Sequence, residues 1–143
     1  MVSSGVQGRL VHQLKRAEQA LRAVIDEALA PLGVTGAQYG ALAALDAAPG
    51  VTSAELARAC LVSAQSMHEL VTGLAERGLV DRERRDGRSV RLAVSTAGHA
   101  VLRAADPLVD HVERELVGTG HGPADLRTQL AALVDRLRER PSR

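Results

Sequence analysis

The feature that most constrains this chain is a change of periodicity at Gly78. Before it, two short segments, 53–59 and 63–76, have helical periodicity and are joined by a link of three residues. After it, a short apolar run leads into alternating apolar and polar residues on either side of Asp86-Gly87, a pair that predicts a two-residue hairpin turn. Two short helices followed directly by a hairpin predict a helix-turn-helix with a wing.

The segments before the helix-turn-helix predict two further helices. A first helix has apolar residues spaced alternately by four and three, a seam for packing against another helix, and should stop near Pro31 and Gly33. Thr35 and Gln38 form a capping box for a second helix that ends at Pro49-Gly50. The predicted seam consists of Leu10, Leu14, Ala17, Leu21, Val24 and Ala28, and the buried stripe of the second helix of Tyr39, Leu42 and Leu45.

The two helices of the helix-turn-helix have clear N-caps. Thr52 or Ser53 caps the first of them, which should run through Ala59, and Ser63 caps the second, which closes at Gly78. In the second helix the apolar residues recur at helical spacing and leave a polar outer face. The inner face consists of Met67, Leu70, Val71 and Leu74, and the outer face of Gln65, Ser66, His68, Glu69 and Thr72.

Helical patterns return after the hairpin. Thr96 is the predicted N-cap of a fifth helix that Pro107 should kink, because proline removes a backbone hydrogen bond. Glycines over 118–122 should end it. A last helix, with Leu126, Leu130, Leu133 and Leu137 at alternating spacings of four and three, should end before Pro141. The expected fold is mainly α with a small β-hairpin wing.

Composition places limits on the class of protein. The 143 residues suit one domain, and 45% hydrophobic residues are enough for a core, although Tyr39 is the single aromatic residue. No apolar stretch approaches the roughly 20 residues that span a bilayer, and the start lacks the features of a secretory signal. Cys60 is the single cysteine, so no intramolecular disulfide is expected. We therefore expect a cytoplasmic protein that does not enter membranes.

Positive charge is concentrated in the hairpin region. The whole chain has a formal net charge of only +1, too little to indicate a nucleic-acid-binding protein by itself. Residues 76–91, however, contain six arginines and four acidic residues, a net charge of +2. Arginine suits a wing because a narrow minor groove concentrates negative potential that a guanidinium can enter. The helix-turn-helix arrangement also places the outer face of the second helix against base edges in the major groove.

From Thr35 to Gly98 the chain resembles the MarR family of winged helix-turn-helix regulators. The resemblance is carried by four stretches of sequence: Ala54-Glu55-Leu56-Ala57; Val62-Ser63 with Gln65-Ser66; Leu74 through Val80; and Asp86-Gly87-Arg88 through Leu92, Ser95, Thr96 and Gly98. It implies a cytoplasmic homodimer, a repressor or activator, that binds a pseudo-palindromic operator and is often released by a small molecule or an oxidant. The whole chain, 1–143, is then one MarR-type domain, with dimerisation helices at 9–30 and 97–139 around a DNA-binding lobe at 35–95.

The resemblance also assigns roles to single residues. Arg88 takes the place of the family's wing-tip arginine in the minor groove, and Asp86 that of the acidic residue that holds this arginine in position. Glu69 departs from the family pattern, so it either accepts a hydrogen bond from cytosine or repels phosphate. With a recognition helix at 63–77 and a wing at 81–94, the expected DNA-binding residues are Ser63, Gln65, Ser66, His68, Glu69, Thr72, Arg82, Arg84, Arg85 and Arg88.

Several residues allow a second interpretation. His68 is either an exposed residue without a role or a DNA contact. Cys60 is more readily a buried, unreactive thiol than a redox sensor. Tyr39 is a core residue with a bonded hydroxyl or part of an effector pocket. The five histidines lack metal-ligand spacing, so no metal or other cofactor is expected, short of a site assembled across the fold.

Two functions other than DNA binding predict different sequence features. A winged-helix dimer that only docks another protein should lack wing arginines, which this chain has. An enzyme should show a nucleophile with its base, a phosphate-binding loop or paired carboxylates, and none can be identified in the sequence. We therefore predict a transcription regulator that is not an enzyme.

Overall fold

The chain is mainly helical and carries one two-stranded sheet in the computed structural model, which describes residues 8–85, 87, 89–117 and 123–141. It divides into two compact units, Met1–Val109 and Asp110–Arg143. In chain order the elements are α1 (Leu10–Leu29), a turn of 3-10 helix (Ala30–Leu32), α2 (Gly36–Ala47), α3 (Ser53–Cys60), α4 (Ala64–Glu76), β1 (Val80–Arg85), β2 (Ser89–Val94), α5 (Thr96–Val117) and α6 (Pro123–Arg138).

Capping boxes fix the starts of α2 and α3. The Thr35 hydroxyl accepts a hydrogen bond from the Gln38 backbone N–H at 3.1 Å, and the Gln38 side chain accepts one from the Thr35 N–H at 3.0 Å. Thr52 and Glu55 repeat this arrangement at 3.2 and 2.8 Å. Each box satisfies two backbone donors that the first helical turn leaves without partners. Thr35 is confirmed as an N-cap, and Thr52 rather than Ser53 caps α3.

The hairpin differs from the predicted one in its turn. β1 and β2 pair antiparallel from Val80 opposite Val94 to Arg85 opposite Ser89, so three residues connect the strands and the prediction of a two-residue turn was wrong. Gly87 has a φ of +73°, in the left-handed region that glycine enters without steric cost. An Asp-Gly pair indicates that the chain reverses, but it does not fix how many residues leave the strand ladder.

The base of the hairpin is tied to the link between α2 and α3. The Gly50 N–H donates to the Leu92 carbonyl at 2.8 Å, and the Leu92 N–H donates to the Val51 carbonyl at 2.9 Å. These two bonds add a short third segment to the sheet along the free edge of β2. The wing is therefore anchored to the helical part of the lobe near its base.

The start of α5 corrects a second prediction. Ser95, not Thr96, is the capping residue, because its hydroxyl accepts a hydrogen bond from the Gly98 N–H at 3.0 Å and donates to the Gly78 carbonyl at 2.5 Å. Thr96 is exposed and is the first residue of the helix. Two neighbouring hydroxyl residues are equivalent candidates in the sequence, and the tertiary contact to Gly78 decides between them.

One hydrophobic core joins the elements of the first unit. Its fully buried side chains are Leu29, Leu42, Leu45, Leu56, Met67, Leu74 and Leu92. Burial of each of these contributes roughly 2 kcal/mol, so leucines and one methionine are sufficient at the centre of the core. Of the described helices, none alone is long and apolar enough to span a membrane, and one pair, Leu10–Leu32 with Gly36–Ala47, meets the length and composition criteria only jointly across a 78° bend.

The second unit contains the remainder of α5 and the helix α6. In it the Arg127 guanidinium lies 3.2 Å from the Glu113 carboxylate, and both groups are exposed. Of the predicted apolar seam of α6, Leu133 is half-buried, whereas Leu126, Leu130 and Leu137 are exposed. The predicted helix break at 118–122 lies outside the described residues.

Candidate nucleic-acid interface

The turn between α3 and α4 sets the direction of the second helix. Leu61 ends α3 with a φ of +56°, which costs a non-glycine residue about 1 kcal/mol. The Val62 N–H returns to the Ala57 carbonyl at 3.1 Å, and Ser63 then caps α4. The left-handed residue shortens the link to three residues, 61–63, and so gives a helix-turn-helix.

The N-terminal turn of α4 is organised by two serines. The Ser63 hydroxyl accepts from the Ser66 N–H at 3.0 Å and donates to the Ser66 hydroxyl at 2.8 Å. Both side chains are exposed, as are those of Gln65, His68 and Glu69. A helix N-terminus carries partial positive charge and favours phosphate oxygens, so this end of α4 can bind a nucleic-acid backbone.

The predicted outer face of α4 divides into two sides. Met67, Val71 and Leu74 are buried in the core, so the opposite side, with Gln65, faces solvent. Thr72 is half-buried and accepts a hydrogen bond from the Arg82 guanidinium at 3.1 Å. Of the predicted outer face, Thr72 is therefore bonded to the wing, whereas the described residues provide no hydrogen-bond partner for Gln65, His68 or Glu69.

The strand register assigns the wing arginines to two faces of the hairpin. Residues directly opposite in an antiparallel pair project to the same face. Arg82 lies opposite buried Leu92 and Arg84 opposite half-buried Val90, so both arginines share the face that packs towards α4.

The arginines on the two faces are engaged differently. Arg82 reaches Thr72, whereas exposed Arg84 has no hydrogen-bond or ion-pair partner within the described part of the chain. Arg85 lies on the other face and contacts the Glu83 carboxylate at 3.4 Å, where both side chains are exposed. Asp86 and Arg88, the predicted wing-tip pair, lie outside the described residues.

Two arginines that the sequence indicated only as part of the positive charge form contacts that hold neighbouring elements in position. Arg77, just after α4, donates to the Gly33 carbonyl at 2.6 Å and so ties the end of α4 to the turn that follows α1. Arg91 on β2 lies 3.5 Å from the Glu55 carboxylate and 3.4 Å from the Gly50 carbonyl. No local sequence pattern predicts such contacts, because they join residues 36 to 44 positions apart.

Three residues with two interpretations are placed by the structure. Cys60 is half-buried, and burial raises the pKa of its thiol above the usual value of 9.0, which favours the unreactive thiol. The Tyr39 hydroxyl donates to the Asp106 carboxylate at 2.7 Å, as expected for a core tyrosine with a bonded hydroxyl. His68 is exposed on α4. No group of three or more candidate metal ligands occurs among the described residues.

A cleft separates α1 from the start of α2 and from α4. Its volume is about 780 Å³, and we call it the α1–α4 cleft. Tyr39, the predicted pocket residue, is not among the described residues that line it. Those residues are Glu18, Leu21, Arg22, Ile25, Asp26, Thr35, Gly36, Ala37, Gln38, Val62, Ser66, Glu69 and Leu70.

A capped, polar helix held beside a hairpin that presents arginines on the same side is the binding surface of a winged helix-turn-helix DNA-binding protein. Comparison with known proteins gives the same class. Residues 32–89 match the sequence model of the MarR family. The HTH-type transcriptional repressor Rv2887 of Mycobacterium tuberculosis (strain ATCC 25618 / H37Rv) is 34% identical over 102 residues, which are 70% of this chain and 73% of that protein.

Two solved structures extend the similarity over nearly the whole chain. The transcriptional repressor CouR bound to a 23-mer DNA duplex is 29% identical, with a TM-score of 0.80 over 97% of this chain and 99% of that one. Mycobacterium tuberculosis Rv2887 in complex with p-aminosalicylic acid is 27% identical, with a TM-score of 0.69 over 92% and 100%. The chain belongs to the MarR family, and it is a DNA-binding transcription regulator.

Proposed function

We propose that this regulator binds a pseudo-palindromic operator as a homodimer, with the recognition helix at 63–77 in the major groove and the wing at 81–94 in the neighbouring minor groove. The whole chain then acts as one MarR-type domain, with dimerisation helices at 9–30 and 97–139 on either side of the lobe at 35–95. Two copies of the lobe would contact half-sites about one helical turn apart.

The observation that carries this proposal is the state of the polar groups on one side of the lobe. Gln65 and His68 on α4 and Arg84 on β1 are exposed and have no hydrogen-bond partners within the described residues. A guanidinium or amide held on a rigid element and free of internal partners loses little on contact with a base edge or phosphate. We assign Gln65, Ser66, His68 and Glu69 to the major groove, Ser63 to the phosphate at the helix start, and Arg84 and Arg88 to the minor groove.

The remaining predicted DNA contacts take supporting roles in the proposal. Thr72 and Arg82 bond to each other, so they set the angle of the wing relative to α4 and reach DNA only at their edges. Arg85 is paired with Glu83, at a distance typical of a weak exposed ion pair, and can exchange that partner for a phosphate. Asp86 is assigned to holding Arg88.

Exposed apolar side chains support the dimer. On α1, Leu10 and Val11 are 65% and 61% exposed, and on α6 Leu137 is 56% exposed. An amphipathic helix whose apolar face is this exposed requires a partner surface. Replacing Leu14 or Leu133 by glutamate should therefore give monomers in analytical ultracentrifugation. A variant that sediments as a dimer would show that the interface lies elsewhere.

Repression and release by a small molecule complete the proposal. The support is the related Rv2887, a transcriptional repressor whose structure contains p-aminosalicylic acid. The α1–α4 cleft, in the volume range of ligand pockets, is the proposed effector site of this chain. We further propose that the protein acts in the cytoplasm and without catalysis, in keeping with its family of transcription regulators.

The test is binding of the purified protein to fluorescent DNA from the flanks of its own gene, measured by anisotropy across a salt series. Because an inserted arginine supplies roughly 1–3 kcal/mol, Arg88→Ala should weaken specific binding by about 5- to 150-fold and reduce the salt dependence. The matched control is Arg103→Ala, which removes the same charge from an exposed site on α5. Equal affinity of both variants would refute the wing assignment.

A second arm covers an operator located elsewhere in the genome. Selection from random DNA should yield two inverted half-sites with centres about ten base pairs apart. Recovery of no common sequence would contradict sequence-specific regulation and favour a dimer that docks another protein.

A further inference from the structure

The side chains that line the α1–α4 cleft combine apolar and acidic groups. Leu21, Ile25, Val62 and Leu70 contribute apolar surface from α1, α4 and the turn that precedes α4. The charged lining residues are three carboxylates and one guanidinium, a net charge of −2. This sign is opposite to that of the neighbouring wing region and unsuited to an organic acid.

One guanidinium offsets only part of the negative charge of the cleft. Arg22, the one cation among its described lining residues, is bonded to Glu18 in the preceding turn of α1, and this pairing, with a smaller electrostatic contribution from Asp26, raises the pKa of the guanidinium. Asp26 accepts a hydrogen bond from the Gly36 N–H at 2.7 Å, a neutral donor that leaves the carboxylate charged. Glu69 has neither a hydrogen-bond nor an ion-pair partner among the described residues. Asp26 and Glu69 therefore line the cleft as carboxylates without an ion-pair partner within 4.0 Å among the described residues.

We infer that the α1–α4 cleft binds a small organic cation with a flat apolar body, whose charge is held by Asp26 and Glu69. The inference rests on the proposed effector site and names its ligand class. The volume of about 780 Å³ accommodates a body of two or three fused rings. A cationic ligand also distinguishes this chain from the Rv2887 structure, which contains the carboxylic acid p-aminosalicylic acid.

A ligand in the cleft lies directly against the recognition helix. Ser66, Glu69 and Leu70 stand at positions i, i+3 and i+4, so they lie along one flank of the recognition helix, the flank that lines the cleft. Ser66 and Glu69 are also assigned to the DNA interface. A ligand held between this flank and α1 fixes the position of the whole lobe relative to α1, so it lowers the affinity for operator DNA.

The experiment compares two probes with the same body and opposite charges. Naphthalene-2-carboxylate and (naphthalen-2-ylmethyl)trimethylammonium are titrated into the full-length protein by isothermal titration calorimetry at low ionic strength, where surface charges are least screened. We expect the cation to bind at least tenfold more tightly. Half-buried Asp26 and exposed Glu69 should each contribute up to about fivefold to the preference for the cation, so Asp26→Asn with Glu69→Gln should reduce that preference about tenfold. Asparagine retains an oxygen that can accept from Gly36.

The matched control removes two carboxylates from the same helices outside the cleft. Glu27→Gln with Glu76→Gln changes the net charge of the protein equally and should retain the preference. Tighter binding of the naphthoate, an unchanged preference in the Asp26/Glu69 variant, or no binding of either probe at millimolar concentration would overturn the inference. Operator binding is measured separately, in the absence of the probes. A negative result with the probes therefore leaves the DNA-binding proposal intact, and a negative result with operator DNA leaves the ligand inference intact.

Discussion

A methyl group added at Gly98 should destabilise this protein more than its small size suggests. Gly98 lies in the first turn of α5, where an added Cβ would stand 2.2 Å from the Leu79 carbonyl oxygen and 2.7 Å from a methyl group of Val94. The nearest atom belongs to the backbone, and it already accepts a hydrogen bond from the Ser95 N–H at 3.0 Å. The Gly98 N–H is itself bonded to the capping hydroxyl of Ser95. Neither side of the contact can move without breaking the junction between wing and α5.

The change in stability caused by Gly98→Ala is the sum of two opposed contributions. Replacing glycine by alanine inside a helix ordinarily stabilises by roughly 0.5–1 kcal/mol, because the unfolded chain loses freedom. Overpacking a rigid site costs typically 1–3 kcal/mol, and here the backbone carbonyl must shift by about 1 Å. The difference is a net destabilisation by Gly98→Ala of about 1–2 kcal/mol. Gly40→Ala on α2, where nothing lies within 4 Å of the added Cβ, should stabilise by about 0.5–1 kcal/mol.

Urea denaturation followed by circular dichroism measures the free energy of unfolding of both variants. The protomer concentration is held fixed, because dimerisation makes stability concentration-dependent. Thermal midpoints should fall by roughly 3 °C per kcal/mol in Gly98→Ala and rise in Gly40→Ala. The two proteins carry the same chemical change, so opposite signs isolate the clash. A Gly98→Ala protein within about 0.5 kcal/mol of the parent would refute the close approach at Leu79.

Three further predictions concern single contacts. Hydrogen bonding from the Thr52 N–H lowers the pKa of Glu55 below its usual 4.5, so the ionised Glu55 side chain stabilises the fold above pH 4.5 and this stabilisation is lost as the pH falls further. The loss of stability caused by Glu55→Gln in urea titrations should therefore be smaller at pH 3 than at pH 6. Burial raises the pKa of the Cys60 thiol, so a thiol-reactive disulfide at pH 8 should modify it more slowly than glutathione; equal rates would contradict its burial. Arg77→Ala should cost about 1 kcal/mol by loss of the bond to Gly33, against no loss in Arg103→Ala in the same denaturation assay.

Local pattern was sufficient to predict most of the helical architecture. The capping box at Thr35 and the N-cap at Ser63 were predicted, and Thr52 was one of two N-cap candidates for α3, because capping depends on residues three positions apart. Periodicity likewise predicted that Met67 and Leu74 are buried. Each of these features is determined within one turn of helix, so the sequence window contains all the interacting groups.

The failures have a common physical origin in contacts between distant residues. Ser95 and Thr96 are equal as capping residues until the Gly78 carbonyl selects Ser95. The bond from Arg82 to Thr72, and the division of the wing arginines between two faces, depend on a strand register that an Asp-Gly pair leaves one residue uncertain. The acidic cleft was missed for the same reason, since its carboxylates come from α1 and α4, some 40 residues apart in the chain.

The hydrogen bonds of the lobe favour regulation by movement of the whole lobe rather than by deformation of its recognition helix. α4 is capped at its start by Ser63, bonded at Thr72 to the wing and followed by Arg77, which is bonded to the turn after α1. A helix restrained at three points moves with its surroundings, because bending it would break several bonds of roughly 1 kcal/mol each. A ligand in the α1–α4 cleft should therefore change the spacing of two lobes in a dimer, and its effect on DNA should be greatest for an operator with both half-sites and small for a single half-site.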